Sequence, residues 1–61
     1  MQQQLLTYLE PMDIPEDKKN LNDTDNLWWI YRYLWAQRTK GLYDNVIPAM
    51  EITRLLISSA G

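Results

Sequence analysis

The sequence predicts an all-α fold, a small helical bundle whose two main helices, at about 24–40 and 45–59, follow one or two short ones. Three observations carry that prediction. Apolar residues recur at helical spacing in both long segments, and no window shows the strict alternation of a half-buried strand. Cap-forming residues, Pro and Gly fall at the ends of these segments rather than in their middles. The chain has 61 residues and no Cys or His, so residues 1–61 make one small domain with no disulfide or thiolate-metal staple. Folding of so short a chain hides only about 60% of the surface it exposes when unfolded, and dense apolar packing or a partner must supply the stability.

Gln2 to Leu9 reads as the first helix, with Met1, Leu5 and Leu9 one turn apart, and Pro11 ends it by pushing Glu10 out of the helical region. Asp13-Ile14-Pro15-Glu16 reads as a second start: an N-cap carboxylate, a proline in the first turn and a glutamate three residues on. That gives one or two turns ending near Asn20. Asn22-Asp23-Thr24-Asp25-Asn26 then offers a run of cap formers whose carboxylates suit the positive end of a helix from Thr24 to Lys40. Gly41 fits the C′ position, with Arg38 and Lys40 near the negative helix end. The last helix starts at Asp44 or Asn45, which sets Pro48 in its first turn, and runs to about Ser59.

The middle helix holds all three Trp and two of the four Tyr. At about 100° per residue, Leu27, Trp28, Ile30, Tyr31, Leu34 and Trp35 fall within one arc of roughly 160°, the expected core face. Trp29 and Tyr33 point the other way, flanked by Ala36 and Lys40. They form an expected contact surface unless the short N-terminal elements wrap around and cover them. On the last helix only Glu51, Arg54 and Ser58 make a clear polar stripe, while Val46, Ala49, Met50, Ile52, Leu55, Leu56 and Ile57 occupy most of the remaining circumference. A helix apolar on so many sides calls for more burial than a short monomer provides. The candidate interface is therefore Trp29, Tyr33 and Lys40 with Ile52, Leu55 and Leu56, and the expected assembly is a homodimer, with a heteromeric protein partner as the alternative.

Charge divides the chain. Glu10, Asp13, Glu16, Asp17, Asp23 and Asp25 precede Asn26 against Lys18 and Lys19; Arg32, Arg38, Lys40 and Arg54 follow it against Asp44 and Glu51. Mutual neutralisation of two segments folded on each other is the expected outcome, and head-to-tail steering of another chain is the other reading.

Chemistry finds little to work with. Without His or Cys, a nucleophile would be Ser58, Ser59 or a Thr, and no motif places a base beside one, so the chain is expected to be non-enzymatic with no catalytic residue. Asp23 and Asp25 echo part of a calcium loop, but the loop's Gly position falls on Trp28 and no bidentate Glu follows. No Gly-rich loop can cradle phosphate, and no metal or cofactor is expected. A net charge of −2 opposes nucleic-acid binding. The run Leu27 to Ala36 is far shorter than the ~20 residues of a membrane span, and the first residues lack the basic start of a secretory signal, so a cytoplasmic protein is expected. These features lead to a protein–protein interaction module, an adaptor or inhibitor that occupies a partner's surface, with peripheral binding to a membrane surface through the Trp/Tyr-rich helix as the alternative.

Overall fold

The computed structural model describes residues 2–60, the backbone alone for Gln2; Met1 and Gly61 lie outside the described residues. Three helices follow in chain order: α1 (Gln2–Leu9), α2 (Thr24–Lys40) and α3 (Val46–Ala60), with a single 3₁₀ turn at Glu16–Lys18 between α1 and α2. No strand occurs among the described residues. α2 and α3 form the main pair, α1 packs on α3, and the 3₁₀ turn sits against α2.

The ends of α2 form as their residue chemistry requires. The Asp23 carboxylate accepts the Asp25 backbone N–H at 3.0 Å, satisfying one of the donors a helix start leaves free. At the other end Gly41 takes φ +66, and its N–H and that of Leu42 return to the carbonyls of Arg38 and Gln37, closing the last turn in a Schellman arrangement. At the start of α3 the Asn45 carbonyl accepts the Ala49 N–H, yet its side chain does not cap. The Asn45 amide instead donates to the Tyr8 carbonyl at 2.6 Å, fastening the end of α1 to the head of α3.

The expected cap at Asp13 does not form. The 3₁₀ turn is preceded by Pro15 in an extended conformation, with no side-chain cap, and Asp13 is exposed. The segment between α1 and that turn behaves as a strap, with Met12 and Ile14 alternating inward and their neighbours Pro11, Asp13 and Pro15 outward. Met12, Ile14 and Leu21 join Leu5 and Leu9 of α1, Leu27, Ile30 and Leu34 of α2, and Val46, Ala49 and Met50 of α3 in one core.

Three polar residues are buried with that core. The Asn26 amide donates to the carbonyls of Asp17 and Asn20 at 3.2 and 3.4 Å, holding the loop before α2. Thr53 donates to the Ala49 carbonyl at 2.7 Å, one turn back on α3. Gln37 is the third.

Asn26 and Gln37 mark a correction to the expected core face of α2. The buried residues of this helix are Asn26, Leu27, Ile30, Leu34 and Gln37, so its buried face is turned by roughly 80° from the arc that the apolar residues define. Trp28 and Trp35, expected inside, are 51% and 58% exposed. Trp29 and Tyr33, expected outside, are half-buried and pack against the core. The physical reason is coverage: Met12 and Ile14 of the strap join the core with Asp13 beside Tyr33, and Asn26 tolerates burial because loop carbonyls accept both of its amide bonds.

Candidate functional site

The surface that α2 and α3 leave to solvent combines aromatic rings with unpaired cations. Trp28 meets Tyr31 edge to face, with ring centroids 6.3 Å apart and planes at 76°. That geometry suits the ring quadrupoles and holds Trp28 upright on the surface. Trp35 lies two turns further along the same side of the helix. Beside this aromatic pair an open groove of about 250 Å³ runs between the two helices, lined by Tyr31, Arg38, Ile47, Met50, Glu51 and Arg54. Ile47 is more than half exposed at its edge. A second open groove, near the end of α3, is lined by Leu21, Asn22, Leu27, Leu56, Ser59 and Ala60.

The six residues singled out from the sequence divide unevenly. Trp29 and Tyr33 are brought together as a parallel stack, centroids 5.5 Å apart and planes within 9°, but both pack half-buried against the core, with Asp13 of the strap beside Tyr33. Burial pushes the Tyr33 phenol above its ordinary value of 10.0, reinforced by Tyr43 and the Asp13 carboxylate, while a hydrogen bond from the Asp13 backbone pulls it back. Ile52 and Leu56 are half-buried against the core. Lys40 stands in solvent at the end of α2, and Leu55 is about half exposed on α3.

Trp28, Trp35, Leu42 and Ile47 also expose large apolar side chains, and sequence reasoning missed them. The missed signal lies on the helical wheel: Trp28 and Trp35 share a sector with Asp25, Arg32 and Thr39, the most polar side of α2. Ranking the sectors by where charges fall, rather than by where apolar residues are densest, finds them.

No ion pair among the described residues joins the two charge halves. Among the described residues the single ion pair is Lys19 with Glu16, at 3.2 Å and within one turn of the acidic half. Arg32, Arg38, Lys40 and Arg54 are exposed and unpaired there, as are Asp13, Asp17, Asp23 and Asp25.

No group of three or more His, Cys, Asp or Glu among the described residues could hold a metal ion, and no described helix is long and apolar enough to cross a membrane. Comparison with known proteins finds no matching family model, no similar characterised protein and no similar solved structure.

Proposed function

We propose that this chain is a non-enzymatic protein–protein interaction module, an adaptor or inhibitor acting in the cytoplasm by covering a partner's surface, and that it associates with itself through its aromatic-rich helix. The observation that carries this reading is the pair of indoles, Trp28 and Trp35, held more than half exposed on one side of α2. Exposed Trp set among Arg is the composition of interaction hot spots, where a few rings contribute most of the association energy. Trp28 and Trp35 take the central role first expected of Trp29 and Tyr33; Lys40 and Leu55 remain within reach of a partner at the margins.

Peripheral attachment to a membrane surface is the second reading, favoured by the same two indoles with Arg32 and Arg38 beside them. Sedimentation equilibrium and vesicle co-sedimentation separate the two. A concentration-dependent mass above 7.3 kDa that Trp35→Ala lowers, with no binding to mixed neutral and anionic phospholipid vesicles, supports the interaction module. A monomer that pellets with the vesicles supports the membrane reading instead.

A further inference from the structure

The solvent face of α2 has an order that selects its occupant. Asp25, Trp28, Arg32, Trp35 and Thr39 follow one another at spacings of three and four residues, the seam of a helix made to lie along another helix. In the monomer Asp25, Trp28, Arg32, Trp35 and Thr39 are all exposed. The seam carries two charges of opposite sign, Asp25 toward its amino end and Arg32 in its middle. Neither is spent on an ion pair among the described residues.

Such a face is complementary to itself in one orientation. Two parallel copies would set Asp25 against Asp25 and Arg32 against Arg32. Turning one copy end over end about a two-fold axis brings Asp25 of each toward Arg32 of the other. We propose that two copies of this chain pair antiparallel along α2, with Trp28 of each lying against Arg32 of the other and Asp25 reaching that same guanidinium. Arg32 then serves twice, stacking on an indole and pairing with a carboxylate. The two indoles of each copy have on the order of 200 Å² to offer, about a quarter of the ~800 Å² each partner of a standard interface contributes, and the flanking Tyr31, Arg38 and Thr39 extend the contact. The inference rests on the self-association proposed above and adds its face, partner and direction.

Charge reversal tests it. Asp25→Arg and Arg32→Asp are expected to weaken dimerisation about tenfold each in sedimentation equilibrium, and the double variant to restore it, since the exchanged charges again face each other. In a parallel pair like charges already oppose, and neither single change would matter. The unaltered chain supplies a second measurement. Rising salt weakens an antiparallel pair by screening attraction and tightens a parallel pair by screening repulsion. A dimer indifferent to both reversals, or tightened by salt, overturns the antiparallel pairing while leaving self-association standing. A chain that stays monomeric throughout overturns both.

Discussion

Replacing Trp29 and Trp35 one at a time with alanine separates an indole that holds the fold from one that does not. Trp29 is half-buried, stacked 5.5 Å from Tyr33 and packed on the core. Truncating a fully buried Trp costs about 3–5 kcal/mol, so a half-buried one costs about 2 kcal/mol. Losing the stack adds about 0.5–1 kcal/mol. The sum, about 2.5 kcal/mol, is a large share of the roughly 3–9 kcal/mol that typical per-residue stabilities give a chain of this length. At about 4–8 °C per kcal/mol for a domain this small, Trp29→Ala is expected to melt roughly 10–20 °C below the parent. Trp35 is 58% exposed with no ring partner among the described residues, and Trp35→Ala is expected to lower the midpoint by less than about 5 °C. Circular dichroism melts, run at a dilution where sedimentation shows one monomeric species, give both values without a contribution from association. Equal losses, or a larger loss for Trp35→Ala, would refute the assignment of the two faces.

Three further outcomes follow from other contacts. Asn26→Ala strands the carbonyls of Asp17 and Asn20 and is expected to cost about 1–3 kcal/mol in urea denaturation; a loss below about 0.5 kcal/mol would contradict the role of its amide. Gly41→Ala meets no atom within 4 Å of the added Cβ, so its expected loss of about 1 kcal/mol comes from forcing an L-residue to φ +66; Gly41→Asn, which tolerates that region, is expected to lose less. The Tyr33 phenol is raised in the fold, so the stability it contributes is complete below its unfolded value of about 10 and lost as pH climbs through the folded value. Denaturation midpoints above that pH are expected to fall less steeply for Tyr33→Phe than for the parent, and parallel slopes would contradict the assignment.

Element boundaries were legible because they depend on residues adjacent in the chain. Asp23 caps α2 through the N–H of a residue two positions on, and Gly41 ends it through carbonyls three and four positions back. α3 begins at Val46, within a residue or two of the expected start, because Pro48 is tolerated in the first turn whatever the helix packs against. Asp13 shows where such reasoning stops. Its neighbours satisfied every local rule for a helix start, yet Met12 and Ile14 are both buried, with the Ile14 N–H turned back to the Met12 carbonyl, and a helical turn would point the two to different sides.

The candidate surface was harder to read, since the sequence shows which residues are apolar and how they are spaced but not which elements arrive to cover them. By itself the sequence determined the three helices, the two caps of α2 and the polar stripe of Glu51, Arg54 and Ser58, all set by contacts within a few residues or by helical periodicity. It also determined that α2 carries more aromatic surface than one core can take. Only the tertiary structure decided which aromatics remain outside. The strap joins Met12 and Ile14 to α2 and α3 across wide gaps in sequence, and Asn45 joins Tyr8 across 37 positions. In the folded chain Trp29 and Tyr33 lie half-buried against the core, and Trp28 and Trp35 face water. No local pattern records such closures, because their energy comes from apolar area shared between segments that meet only once the chain has folded.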